Sequence, residues 1–174
     1  MRESIERIVV NDDTIDNGNH HDVLDPVWWL TNIYGGEEAY NQSLAVFSRE
    51  QRLILAIEWY FAEVNNGGHG QFYFNSTGIV WKDAMDGCKE IGLDKVASLI
   101  AESALMMGGR PSLERQKRHE QMEAYDPDFG DLDARLYALE QTGEIDQLIM
   151  QYIRNHRSAF YFEGEVRKTK KRWQ

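Results

Sequence analysis

Apolar side chains recur at intervals of three and four residues along most of the chain, which is the spacing of one buried helix face. The clearest run follows a capping box formed by Ser48 and Gln51 and continues until the glycine pair at 67–68 ends it. Similar spacing predicts helices over 94–107, 112–124, 131–141 and 144–156, with shorter helices over 2–9, 23–34 and 78–91. No two-residue hairpin turn lies between alternating apolar runs, so the pattern predicts no substantial sheet.

The predicted fold is therefore a compact, all-α, single-domain structure of about seven to nine helices. A chain of 174 residues with 42% apolar side chains is suited to one folded domain with its own core. We place this helical domain at residues 1–166. Residues 167–174 are treated as a basic C-terminal tail, because five of the 19 lysines and arginines fall there.

The charge of the chain is strongly negative and unevenly distributed. The formal net charge is −10, and residues 1–166 contain all 29 acidic residues with 14 basic ones, which gives this part −15. Such a field repels nucleic acid and anionic membranes and attracts basic proteins. We therefore expect a protein partner, with no direct contact to nucleic acid and no membrane association.

Three stretches contain acidic residues and no lysine or arginine: 8–48, 119–134 and 136–153. A solubilising surface usually interleaves both signs, so these stretches are candidate binding surfaces, although a solvated acidic face is the simpler explanation. The carboxylates predicted to contact a partner are Glu120, Glu123, Asp126, Asp128, Asp131 and Asp133 in the densest stretch, Asp12, Asp13, Asp16, Asp22 and Asp25 in the first, and Glu140, Glu144 and Asp146 in the third.

Candidate catalytic and metal-binding patterns are weak in this sequence. It has no phosphate loop and no dinucleotide fingerprint, and its single cysteine, Cys88, has the setting of a small buried side chain. The adjacent His20 and His21 lack the paired spacing of zinc ligands, which favours core or solvated histidines. The acidic run from Asp126 lacks the glycine position and the closing glutamate of a calcium loop. We predict no catalysis, no cofactor and no bound metal ion.

Residues 65–78, with the sequence NNGGHGQFYFNSTG, look most like a motif. Glycines and asparagines around three aromatic residues are typical of a tight connection between two helices, with the aromatic side chains docked in a core. The alternative is a pocket in which His69, Gln71 and Asn75 present polar groups to a small ligand.

This segment also carries a family resemblance. Together with the amphipathic helix before it, which contains Trp59 and Tyr60, it resembles the signature of a bacterial family of small acidic proteins named after a DNA mimic. The resemblance spans roughly residues 25–160, and the acidity makes the chain similar to the DNA-mimic member itself. It implies a mostly helical fold, a homodimer, no catalysis, and binding to a helix-turn-helix transcription factor and a histone-like nucleoid protein.

Acidity and resemblance together predict an interaction protein that occupies the DNA-binding surface of basic regulators. Two alternatives stay open: a small-ligand binder or enzyme that uses residues 65–78, and an immunity or antitoxin-like protein against a basic toxin. No apolar stretch reaches the roughly 18 residues of a membrane span, and the charged N-terminus does not resemble a signal peptide. We expect a cytoplasmic protein.

Overall fold

The computed structural model describes residues 3–169, and most of them are helical. The α-helices of this part are α1 (Asp12–Asn17), α2 (His20–Leu30), α3 (Gly36–Leu44), α4 (Arg49–Phe74), α5 (Trp81–Glu90), α6 (Asp94–Met106), α7 (Arg115–Tyr125), α8 (Gly130–Glu140), α9 (Glu144–Asn155) and α10 (Arg157–Phe160). Two strands, β1 (Glu3–Val10) and β2 (Phe162–Thr169), flank the helices. The prediction of an all-α fold without a substantial sheet is confirmed.

Local sequence signals begin and end several helices at the expected places. Ser48 and Gln51 form the predicted reciprocal capping box at the start of α4. Helix α6 ends just before Gly108 and Gly109, both of which have positive φ. Helices α8 and α9 lie within one residue of their predicted limits. Helices α1, α3 and α10 were not predicted, since each is too short to show a periodic apolar pattern.

The prediction of a helix over 2–9 is wrong, because these residues form β1. The antiparallel register pairs Val10 with Phe162 and Glu6 with Val166, so the two ends of the described chain meet in one small sheet. Ile5, Ile8 and Val9 fit a spacing of three and four, which also suits a helix. The strand forms because a distant segment supplies its hydrogen-bond partners, and no local pattern reveals such a partner.

Strand β2 extends to Thr169 and therefore includes the first three residues of the predicted basic tail. Its Lys168 ammonium lies 2.6 Å from the Asp25 carboxylate and 3.1 Å from that of Glu6, which ties the strand to α2 and β1. Residues 170–174, the rest of the predicted tail, lie outside the described residues.

Helix α4 forms the centre of the core and packs against α2, α5, α7, α8 and α10. Its residues 54–57 are completely buried. Cys88 on α5 is buried, as predicted. On the same helix, a Cβ at Gly87 would lie 3.1 Å from Ile57 Cδ1, so the glycine permits the close approach of α5 to α4. Across residues 3–169, no helix has both the length and the apolarity needed to span a membrane.

Candidate functional site

Helix α4 is interrupted at the glycine pair of the motif. The helical conformation is lost at Gly67 and Gly68 and resumes at His69, so the predicted stop, turn and new helix are confirmed. Gly68 has φ +75° and ψ 178°, a region essentially reserved for glycine. A Cβ at this position would lie 2.3 Å from Asp133 Oδ2, so a carboxylate from α8 occupies the space that the glycine leaves.

The Asp133 carboxylate organises the start of the second α4 segment. It accepts a hydrogen bond from the His69 backbone N–H at 2.9 Å and another from His69 Nδ1–H at 2.5 Å. With Nδ1 protonated, Nε2 accepts a hydrogen bond from the Tyr60 hydroxyl at 2.8 Å. The imidazole is completely buried and both of its nitrogens are paired. His69 is thus a core residue that joins α8 to both segments of α4.

A second carboxylate, that of Glu63, holds the rest of the motif. It accepts hydrogen bonds from the side chains of Gln71 and Asn75 at 2.8 Å and from the Thr77 hydroxyl at 2.9 Å. Gln71 and Asn75, which the ligand-pocket hypothesis directed outward, therefore turn back onto α4. In the described structure these three polar side chains of the motif bind Glu63, which precedes the motif on α4.

The end of α4 is capped by one face of α7. Arg118, completely buried, donates to the backbone carbonyls of Tyr73, Asn75 and Ser112 at 2.6–2.7 Å. Burial lowers the pKa of Arg118 to about 10, so the guanidinium remains charged at neutral pH. The neighbouring turns of α7 complete the cap, since Arg115 Nε and His119 Nε2 donate to the Phe74 carbonyl at 2.9 and 2.6 Å. This face anchors α7 rigidly to the motif.

The aromatic residues of the motif do not all enter the core. Phe72 and Tyr73 are completely buried, and Tyr73 donates to Ser103. Phe74 is 51% exposed and stacks on His119 at a centroid distance of 4.3 Å, so the prediction that it docks in the core is wrong. The helical period explains the difference, because three consecutive residues cannot share one helix face.

The His69 contacts predict a pH dependence of stability. Burial holds the pKa of His69 below its ordinary value, although Asp133 opposes the shift. Below about pH 6.5 the unfolded chain binds a proton at this residue more readily than the folded chain does. The contribution of His69 to the free energy of unfolding is therefore present above that pH and is lost as the pH falls below it. In urea unfolding, the difference in free energy of unfolding between the native protein and His69→Gln should therefore be smaller at about pH 5 than at about pH 7.5. An equal difference at both pH values would contradict this assignment.

Several predicted partner-binding carboxylates are engaged inside the protein. Asp133 binds His69, and its side chain is only 23% exposed. The others pair with basic side chains, cap a helix or accept hydrogen bonds from asparagine side chains: Asp12 and Asp16 with Arg157, Asp25 with Lys168, Asp131 with Arg135, Asp22 with the Asn19 N–H, Asp13 with Asn17, and Glu140 with Asn65. Of the carboxylates in these ion pairs, that of Asp131 is the most exposed, at 80%.

Four predicted carboxylates form an exposed group at the end of α7 and in its connection to α8. We call this group, Glu120, Glu123, Asp126 and Asp128, the α7–α8 acidic edge. Among residues 3–169, no lysine or arginine forms an ion pair with any of the four; Lys117 on the same helix is paired with Glu114. Asp126 ends α7 with φ +43°, and Asp128 accepts a hydrogen bond from the Gly130 N–H. Glu144, in the third acidic stretch, is also exposed.

A family model described as DMP19-like protein matches residues 45–156, which is more than half of the chain. The chain belongs to the DMP19-like family. The DMP19-like region includes the whole of α4 to α9, and therefore the contacts around Glu63, His69 and Arg118 as well as the acidic edge. No curated protein and no solved structure matches the chain.

A cleft of about 330 Å³ lies beside the DMP19-like core, between α2, α4 and α9. Its walls bring His20 and His21 together with Glu58, with Asp146 at the rim. Sequence reasoning missed this group, because Glu58 lies on another helix. One signal was available in the sequence: Glu58 is an acidic residue within the apolar run of α4, which indicates a carboxylate close to the core.

Proposed function

We propose that this protein is a DNA mimic without catalytic activity, which binds the DNA-binding surface of basic regulators and blocks their access to DNA. The expected partners are a helix-turn-helix transcription factor and a histone-like nucleoid protein. The observation that carries the proposal is the α7–α8 acidic edge, an exposed group of carboxylates with which no lysine or arginine among residues 3–169 forms an ion pair.

The spacing of the carboxylates in the acidic edge suits contact with the lysine and arginine side chains that bind DNA phosphates. Duplex DNA carries one negative charge per about 1.7 Å of helix axis, and its binders meet these charges with lysine and arginine. Glu120 and Glu123 lie one helical turn apart, at about 5–6 Å. Because Arg118 and its neighbours fix the opposite face of α7, the carboxylates are held on a rigid support and lose little freedom when a partner binds.

Family membership and total charge support the same function. The DMP19-like match covers the acidic edge, and the loop resemblance associates the family with DNA mimicry. A net charge of −15 over residues 1–166 would steer a basic partner toward the protein at low salt. We include a homodimer in the proposal, because a two-fold axis would repeat the acidic edge as an operator repeats its half-sites.

The test is competition for DNA. A helix-turn-helix repressor or a histone-like protein is bound to a labelled duplex, and release of the duplex is followed by fluorescence anisotropy as this protein is added. We expect release at low salt that weakens between about 50 and 300 mM, because charge-dominated binding changes steeply there. No release of DNA from either partner at low salt would overturn the proposal.

Among the four residues of the acidic edge, Glu120 and Glu123 are the positions best suited to substitution. Glu120 and Glu123 are exposed on regular helix, whereas Asp126 has positive φ and Asp128 caps a turn, so lysine at the latter two positions would also perturb the fold. We expect Glu120→Gln/Glu123→Gln to weaken competition about fivefold and the double lysine variant to weaken it more, since lysine adds repulsion. Asp126→Asn/Asp128→Asn extends the series, because asparagine tolerates positive φ and retains an accepting oxygen.

The matched control is Glu37→Gln/Glu38→Gln. Both glutamates are exposed on α3, away from the acidic edge in sequence, and the substitution removes the same two charges. It should leave competition nearly unchanged. Equal losses from the two double variants would show that net charge alone attracts the partner, and would remove the acidic edge from the proposal.

A further inference from the structure

The cleft between α2, α4 and α9 contains an unusual concentration of metal-ligating groups. His20 Nδ1–H donates to Glu58 Oε1 at 2.6 Å, and His21 Nδ1 lies 3.3 Å from Glu58 Oε2. One donor atom from each of these three residues falls within 4.8 Å of the others. Asp146 Oδ1 lies 3.4 Å from His20 Nε2, on the solvent side of the group.

Burial of the Glu58 carboxylate makes an uncompensated negative charge there energetically unfavourable. The Glu58 side chain is 11% exposed and that of His20 is 10% exposed. Within residues 3–169, no lysine or arginine forms an ion pair with this buried carboxylate. A bound cation would compensate the charge of this carboxylate directly.

The surroundings also suit an ion. Phe61, Ile145 and Ile149 line the cleft beside the polar group and lower its local dielectric, while the open side gives an entry path from solvent. His21 has a side chain 72% exposed, so its ring is free to adjust. Donor atoms around a tetrahedral zinc ion lie about 2.0–2.2 Å from it and therefore roughly 3.3–3.6 Å from one another. His20 Nδ1 and Glu58 Oε1, 2.6 Å apart, would separate slightly to admit the ion.

We propose that this cleft binds a divalent first-row transition-metal ion through His20, His21 and Glu58, with a water molecule as the fourth ligand. Two imidazole nitrogens with carboxylate oxygens form a donor set that suits Zn²⁺ better than Mg²⁺, which prefers oxygen ligands alone. Since α2 supplies the histidines and α4 supplies the glutamate, the ion would link the two helices. The site is independent of the acidic edge and of the proposed function.

The test is isothermal titration calorimetry of the full, tag-free chain with ZnCl₂ at about pH 7.5, after a chelator has removed bound metals. We expect one ion per chain, a dissociation constant in the micromolar range or below, and an increase in melting temperature. Mg²⁺ should give no comparable binding. Glu58→Gln and His21→Gln should each weaken Zn²⁺ binding at least about tenfold, because each removes one ligand.

Two variants keep this test decisive. His21→Gln changes an exposed side chain, so it should fold even if the buried Glu58→Gln does not. His156→Gln, which changes an exposed histidine outside the cleft, should leave the affinity for Zn²⁺ unchanged. Absence of Zn²⁺ binding to the native protein, or equal affinity in the native and His21→Gln proteins, would overturn the proposal.

Discussion

The Arg118→Met protein is expected to lose about 3 kcal/mol or more of its free energy of unfolding in urea. Methionine keeps much of the apolar volume but has no donor, so the carbonyls of Tyr73, Asn75 and Ser112 would lose their partner. Each unsatisfied buried acceptor costs about 1–3 kcal/mol. Arg118→Lys should recover only part of the loss, because an ammonium cannot match the fixed fork of the guanidinium.

The control for this prediction is Arg115→Ala on the same helix. Arg115 also donates to an α4 carbonyl and lies over the Phe74 ring at 5.4 Å, but it is exposed. Its removal should cost less than about 1 kcal/mol, since water can replace an exposed donor. Equal stability of Arg118→Met and the native protein would show that the buried guanidinium does not cap α4.

The second large effect is expected at Gly68, where alanine should lower the free energy of unfolding by about 2–4 kcal/mol. The backbone region at φ +75° and ψ 178° costs about 1–3 kcal/mol for a residue with a Cβ. The new Cβ would also displace the Asp133 carboxylate, which it would approach to 2.3 Å, and so remove the partner of the buried His69 ring. Thermal unfolding followed by circular dichroism measures the loss.

Gly70 provides a close control two residues away in the same motif. It lies in the regular helical part, and the nearest atom to a Cβ there, Phe129 Cδ2, would be 4.0 Å away. Gly70→Ala should therefore leave stability unchanged or raise it by up to about 1 kcal/mol. If Gly68→Ala were as stable as Gly70→Ala, the kink and the Asp133 contact would not hold the motif together.

Both predictions bear on the choice between a structural motif and a ligand site at residues 65–78. If the motif is structural, Gly68→Ala should impair DNA competition only in proportion to the fraction unfolded, because the acidic edge itself is unchanged. A variant that stays folded and loses competition would instead favour a ligand at this segment. The pairing of Gln71 and Asn75 with Glu63 supports the structural interpretation.

The acidic stretches illustrate how far charge alone can be interpreted. The sequence grouped fourteen carboxylates as equivalent, since a charge gap says nothing about the partners of each residue. In the folded protein, Asp133 accepts a hydrogen bond from His69. Asp12 and Asp16 pair with Arg157, which lies near the other end of the chain. Distant basic residues pair with some of the acidic residues, whereas the four residues of the α7–α8 acidic edge form no ion pair with a lysine or arginine among residues 3–169.

Local patterns in the sequence were sufficient to predict the helical fold class, most of the longer helices and the break at the glycine pair, because capping, periodicity and glycine backbone freedom act within a few residues of the chain. The pairing of β1 with β2, the burial of Arg118 and the contact of His20 and His21 with Glu58 depend on tertiary packing. Each of these contacts joins residues that are far apart in sequence, so packing of the whole chain selects them rather than any local preference.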